Sequence, residues 1–261
     1  MGQSCQPVAG IARLCDGAGM AYPGGKDAAG VYQRIINLMP PHSLYVEPFL
    51  GGGAIMRRKR PAPRSIGIER NPLVAGLVRG MFSQRPDLTI LTGDGLAWLR
   101  EQGLSLPSNA LVYCDPPYLL ETRKSGPLYR CELTTAQHAQ LLGILTRLPC
   151  QVMVSGYWSP LYAEALQGWH AEHFEVMTRG GSRATEWLWC NFTPPHSLLD
   201  YQYLGRNFRE RERIKRKMQR WKARLLKMPV LERQALLAAL AEVQDPLARS
   251  GDMGSLRQVE R

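Results

Sequence analysis

The stretch LVYCDPPYLL, residues 111–120, ends an apolar run with Asp115, Pro116, Pro117 and Tyr118. The run Leu111 to Cys114 suits a strand covered on both faces, as in a parallel sheet, and prolines cannot continue such a strand. A plain turn is one account, since Asp-Pro is ordinary punctuation. The geometry suggests a sharper one. Pro116 biases Asp115 toward extended backbone, Pro117 does the same to Pro116, and neither ring has an N–H to donate. The result is a stiff arc of acceptors, in which the Asp115 carboxylate and the Pro116 carbonyl can face one donor group. Open α/β sheets bind their ligands at this carboxyl end of a strand. With Tyr118 two residues on, the arc fits a planar ligand that stacks and carries an amino group, as a nucleobase does.

Other residues of the right type stand at comparable places. EPFLGGGAI, Glu47 to Ile55, follows a short apolar strand with a glycine loop that lets backbone approach a ligand closely. It lacks the GxGxxG spacing of dinucleotide folds, and tight-turn glycines alone would also explain it. Glu69 ends a second strand, where an acidic side chain can accept from both hydroxyls of a ribose. Asp94 ends a third. Each could be a surface carboxylate, but Glu69, Asp94 and Asp115 close three successive strands.

The elements that carry these residues alternate. Asp27 to Met39 reads as a helix halted by Pro40 and Pro41. LYVEPFLGGGAIM and SIGIERNPLVAGLVRGMF each read as strand then helix, and LTILTGDGLAWL as a strand followed by a helical turn. ALVYCDPPY supplies a fourth strand. LTTAQHAQLLGILTRL forms a helix that Thr134 or Thr135 can cap, and QVMVSGYW gives a fifth strand. Such alternation predicts a doubly wound α/β fold with a parallel, Rossmann-like sheet. HFEVMTRGGSRATEWLWCNFT differs: two strands joined by a glycine-containing connection make a hairpin, which adds one antiparallel strand.

The chain has 261 residues, 44 % of them hydrophobic, enough for one sizeable core and an appendage. Its six cysteines are scattered without a CxxC pair or a histidine at ligand spacing, so neither a metal site nor a disulfide framework is expected, and a reducing cytoplasmic setting is the default. The five histidines share no spacing that suggests catalysis. No stretch has the apolar length of a membrane span, so no membrane partner is expected. Charge is concentrated. GRNFRERERIKRKMQRWKARLLK, Gly205 to Lys227, holds eleven Lys or Arg against Glu210 and Glu212, a net of +9 that leaves about +2 of the total +11 for everything else. In the appendage after Pro195, Leu204, Phe208, Ile214, Met218, Trp221 and Leu225 recur at helical spacing; Pro229 interrupts, and VLERQALLAALAEV gives a second helix. A helical hairpin docked on the main body is expected. The run could simply be a solvated face, but its charge exceeds what solubility requires and suits phosphate. Candidate contacts are Arg206, Arg209, Arg213, Lys215, Arg216, Lys217 and Arg220, with Arg123, Lys124 and Arg130 on the loop Leu119 to Arg130. The organisation expected is a poorly ordered leader over 1–20, with Met20 as an alternative start, a catalytic domain over 21–195, a basic helical appendage over 196–245, and a frayed tail over 246–261.

Taken in order, YPGGK (Tyr22 to Lys26), EPFLGGGAI, GIERN, GD, DPPYLLETRKSGPLY with HAQLL following, VSGYW and EWLWCNF resemble the Dam-like class of DNA adenine methyltransferases over roughly Tyr22 to Pro195. The resemblance implies S-adenosylmethionine as cofactor and the methyltransferase variant of the Rossmann sheet. It places Tyr22, Lys26, Glu47, Pro48, Phe49, Gly51 and Gly53 around the cofactor, Glu69 on its ribose and Asp94 at its adenine end. Asp115, Pro116, Pro117 and Tyr118 would grip a flipped-out target base. One departure stands out: Dam-like enzymes commonly insert a recognition domain before DPPY, whereas the short gap from Asp94 to Asp115 holds none. Target contacts must then come from the loop after Tyr118 or from the appendage. RNA or the amino group of cytosine could meet the same acceptors. A nucleic-acid-binding protein with a vestigial catalytic domain is the reading from another class.

Overall fold

A computed structural model describes residues 25–28, 30–123, 132–177 and 183–244. The expected leader and tail, Tyr129 and the hairpin connection at 178–182 lie outside these. Strands β1 (Leu44–Glu47), β2 (Arg64–Glu69), β3 (Leu88–Thr92), β4 (Ala110–Cys114), β5 (Gln151–Gly156), β6 (His170–Met177) and β7 (Arg183–Cys190) form one sheet in the order β3-β2-β1-β4-β5-β7-β6. Pairs from β3 through β5 are parallel, and β7 runs antiparallel to both β5 and β6. The mostly parallel Rossmann-like sheet with one antiparallel strand is therefore the one the alternation predicts.

Helices α1 (Val31–Ile36), α2 (Ala54–Arg58) and α3 (Pro72–Met81) follow the chain toward one sheet edge. Then come α4 (Gly95–Gln102), α5 (Thr135–Leu145) and α6 (Pro160–Ala165). Local chemistry starts most of them. The Asn71 side chain accepts from Leu73 N with Pro72 in the first turn, Asp94 accepts from Leu96 N and Ala97 N, Thr134 forms a capping box with Gln137, and Ser159 accepts from Tyr162 N. Two elements differ from expectation. α1 spans six residues instead of Asp27 to Met39, because Gly30, at φ 98, takes the left-handed conformation before it and donates its N–H to Gln33 Oε1. The helical turn expected after Asp94 extends to eight residues.

Strand alternation sorts the core onto two faces. Val46, Val112, Val152 and Val154 pack in one cluster with Leu99 and Leu141; Tyr45, Leu111, Tyr113 and Met153 pack in another with Ile35, Ile55 and Val78. The segment after β7 remains tied to this unit. Asn37 Nδ2 donates to Tyr203 O, Tyr203 OH donates to Arg58 O, and Arg60 N donates to Asp200 Oδ2.

A second compact unit starts at Gly205 and contains α7 (Phe208–Lys227) and α8 (Val230–Gln244). Asn207 caps α7 by accepting from Glu210 N. Pro229 ends the first helical run as expected, but among the described residues α7 and α8 are not packed along one another as a hairpin. The apolar stripe of α7 is present without burial, with Phe208, Met218 and Trp221 each about half exposed or more. Among the described residues no helix is long and apolar enough to cross a membrane.

Candidate active site

Strand order reverses direction between β1 and β4, because the chain runs outward from β1 to β3 before returning to β4 on the other side. A crevice opens at such a switch point, beyond the carboxyl ends of the strands. The glycine loop after β1 forms one wall. Gly51 and Gly53 have φ of 51 and 65, a backbone that side chains disfavour, and Gly53 N donates to Leu50 O. Leu50 N donates to Ile68 O, anchoring the loop on β2. Glu69 then fixes it from the side, its Oε2 accepting from Gly51 N at 2.9 Å and its Oε1 from Asn71 N at 2.7 Å. Burial pushes the Glu69 carboxyl above the ordinary carboxylate range, opposed by these backbone donors.

The floor is closed by α4. A Cβ on Gly95 would lie 1.9 Å from Pro48 O, so glycine alone lets this helix start against the loop. Asp94 caps that start, and its second oxygen lies 3.6 Å from Arg70. Pro48, Phe49, Gly51, Glu69, Asn71, Asp94, Asp115 and Pro117 all line the resulting cleft, together with Lys26 and Glu47.

At the other wall, β4 ends at Cys114 and delivers Asp115 to the rim. Lys26 Nζ lies 2.9 Å from Asp115 Oδ1, donates to Tyr118 OH at 2.8 Å, and stands 3.8 Å from Glu186 Oε1. Pro116 is buried, and the Tyr118 ring packs edge-on to Tyr157 with centroids 4.6 Å apart. Burial raises the Asp115 carboxyl, Lys26 counters it, and Glu186 adds to the rise. Glu47 is a buried neighbour that accepts from Tyr45 OH at 3.4 Å. Its pKa is pushed up to about 8 by burial and by Asp115, with Lys59 opposing, so near neutrality it is largely protonated.

The sequence-derived residues separate into four groups. The structure brings Lys26, Glu47, Pro48, Phe49, Gly51, Glu69, Asp94, Asp115 and Pro117 to one cleft, with Gly53 behind it as the cap of α2 and Pro116 and Tyr118 on the same turn. Arg123 points inward: its side chain is 4 % exposed, pairs with both oxygens of Glu132 and donates to the Tyr118 carbonyl, so it braces the turn. Arg206, Arg209, Arg213, Lys215, Arg216, Lys217 and Arg220 are exposed on the second unit. Tyr22, Lys124 and Arg130 lie outside the described residues. The sequence reasoning missed Glu186, Asn71 and Gly95. A carboxylate inside the apolar run ATEWLWC was the available signal for Glu186; the other two show themselves only through contacts between distant segments.

This cleft combines bare backbone in its middle, carboxylates and an Asn at one end, and a cluster of carboxylates with an ammonium at the other. Such a layout suits an elongated ligand with a hydroxylated sugar at one end and positive charge at the other. No protein-family model matches the chain, and no curated protein is similar to it in sequence. Among solved structures, it is similar to the 23S rRNA methyltransferase ErmE at 14 % identity and a TM-score of 0.45, over 73 % of this chain and 75 % of that one. It is similar to TrmN from Thermus thermophilus at 18 % identity and 0.40, over 60 % and 46 %. For the precorrin-6y C5,15-methyltransferase from Geobacter metallireducens GS-15 the values are 14 % and 0.40, over 64 % and 91 %. All three scores lie below 0.5, and these identities are too low to transfer an activity or a substrate.

Proposed function

We propose that this chain is an S-adenosylmethionine-dependent methyltransferase acting on the exocyclic amino group of adenine in DNA. The observation that carries the reading is the placement of the Asp115-Pro116-Pro117-Tyr118 turn at the carboxyl end of β4, directly across the switch-point crevice from the glycine loop. The ordered run of motifs from Tyr22 to Pro195 supports it. Glu69 and Asn71 would hold the sugar of the cofactor, Asp94 its adenine, and Phe49 and Gly51 would form its floor. When bound, the cofactor would supply an electrophilic methyl on a sulfonium, with a neutral sulfide as the leaving group.

An aromatic amine is a poor nucleophile because its lone pair is delocalised into the ring. The Asp115 carboxylate and the Pro116 carbonyl accept its two N–H hydrogens and favour a pyramidal nitrogen, with the lone pair directed into the cleft. Asp115 also faces the positive charge that grows on that nitrogen, so it stabilises the transition state more than the ground state. The nitrogen then loses a proton, for which Asp115, with its raised pKa, is the adjacent acceptor. Tyr118 offers a stacking surface to a base taken out of its duplex. The exposed cations of α7 supply sequence-independent attraction to phosphates.

The test is transfer of labelled methyl to unmethylated duplex DNA, single-stranded DNA and RNA, with the modified nucleoside identified by mass. N6-methyladenine in DNA is the expected product. Label in RNA alone or on cytosine would replace the substrate and keep the chemistry, whereas cofactor binding with no product on any polymer would leave a nucleic-acid-binding protein.

A further inference from the structure

Helix α8 is apolar around most of its circumference, and the structure leaves it uncovered. From Val230 to Val243 its polar residues are Glu232, Arg233, Gln234 and Glu242. Leu231, Leu236, Leu237 and Leu240 are 83 %, 39 %, 45 % and 55 % exposed. A helix of this kind is ordinarily buried. Helix α7 has the opposite design, a single narrow stripe. Ile214, Met218, Trp221, Leu225 and Met228 recur at alternating intervals of four and three residues, and Met218 and Trp221 are each 49 % exposed. That repeat is the seam of a helix pair, narrower than the face a helix lays on a globular core or a lipid surface. Within one chain the two apolar surfaces do not meet. The joint between α7 and α8 is Met228, with extended backbone at ψ 147, and Pro229, which has no N–H. Two residues is the short end of connections between packed helices, and among the described residues α7 and α8 do not lie along one another.

Charge decides what completes the seam. Lys215, Lys217, Lys222 and Arg224 flank the stripe, so two α7 helices side by side would set like charges against each other. α8 carries Glu232 and Glu242 against Arg233 and brings no such repulsion. We propose that the chain pairs with a second copy of itself by exchanging helices, α7 of each copy taking α8 of the other along its apolar stripe. A two-fold pair makes this contact twice and closes, so both stripes are covered in a dimer. Arg209, Arg216 and Arg220 fall on the side of α7 away from the stripe and stay available to phosphates. The inference is independent of the proposed methyl transfer, since it concerns only the second unit.

The test is sedimentation equilibrium on the full chain, freed of nucleic acid and held in high salt, together with two double variants. Met218→Glu with Trp221→Glu charges the α7 stripe, and Leu237→Glu with Leu240→Glu charges α8. The wild type is expected to be a dimer at about 10 μM, and each double variant a monomer at the same concentration. A monomeric wild type would overturn the inference, and its capture by anionic phospholipid vesicles would then assign the apolar surfaces to lipid. A dimer that survives the α7 changes would mean pairing through α8 alone, and one that survives the α8 changes pairing through α7 alone; either contradicts the exchange. A second measurement needs no substitution. Carbodiimide joins lysine to carboxylate in contact, so a mixture of isotope-labelled and unlabelled wild-type chains should give mixed-isotope peptides linking α7 lysines to Glu232 or Glu242. Links confined to one copy would overturn the exchange.

Discussion

The crevice and helix α7 carry charge in opposite ways. In the crevice, Lys26, Asp115 and Glu186 are at most 17 % exposed at their side chains and lie within 4 Å of one another along the chain of contacts. Along α7 the cations other than Arg211 are exposed, and Glu210 with Arg213, 3.7 Å apart, is the ion pair found there among the described residues. Buried charge is costly unless each group is matched, so it persists where geometry must be fixed to a fraction of an ångström. Exposed charge costs little and acts at a distance, but salt screens it. On the proposed reading, one region serves chemistry and the other attraction.

The comparison can be broken most directly at α7. Replacing Arg213, Lys215, Arg216 and Lys217 with Ala is expected to lower affinity for duplex DNA by about 100-fold at low salt and to reduce the salt slope by up to about four, as counterion release requires. Filter binding across a salt series measures both, and a slope equal to the wild type would remove α7 as the docking surface. Catalysis on DNA at saturating concentration should change far less.

In the crevice, the largest structural effect belongs to Gly95→Ala. Its Cβ meets Pro48 O, which is backbone and cannot swing aside. A loss of about 2–3 kcal/mol in stability is expected in denaturant unfolding. Asp94→Ala removes the cap of α4, with an expected loss of about 1 kcal/mol and a weakened cofactor site. Equal cofactor affinity in that variant would restrict Asp94 to capping.

A separate effect is on pH. Glu47 has its folded pKa raised from 4.5 to about 8, so the folded state holds its proton where the unfolded state has released it. Its contribution is fully present below pH 4.5 and is lost as pH rises toward 8. Thermal unfolding of the wild type should therefore lose ground against Glu47→Gln across that window; parallel curves would mean that Glu47 is not held neutral.

Much of this was legible in the sequence, for particular reasons. DPPY ends a strand because proline cannot continue one, and the carboxylates at strand ends, Glu69, Asp94 and Asp115, meet because parallel strands bring their carboxyl ends to one edge. The hairpin was visible in two strand patterns with no helix between them. Less legible were the features that arise from contact between distant segments. α1 is short because Gly30 adopts a left-handed backbone, which sequence pattern alone does not dictate. The helix α6 is too short to show periodicity, although Ser159 and Pro160 mark its start. Arg123 reads as a phosphate contact by residue type, yet Glu132 and the Tyr118 carbonyl take up its guanidinium. Glu186 becomes part of the site only when β7 inserts antiparallel beside β5.

The central claim is that the acceptor turn after β4 performs the chemistry while the opposite wall holds the cofactor. Single-turnover methyl transfer by Asp115→Ala, measured beside its S-adenosylmethionine affinity, tests that division most directly. A fall in rate of about 1000-fold with affinity largely retained is the expected result. Transfer at the wild-type rate would remove Asp115 from the mechanism and contradict the account.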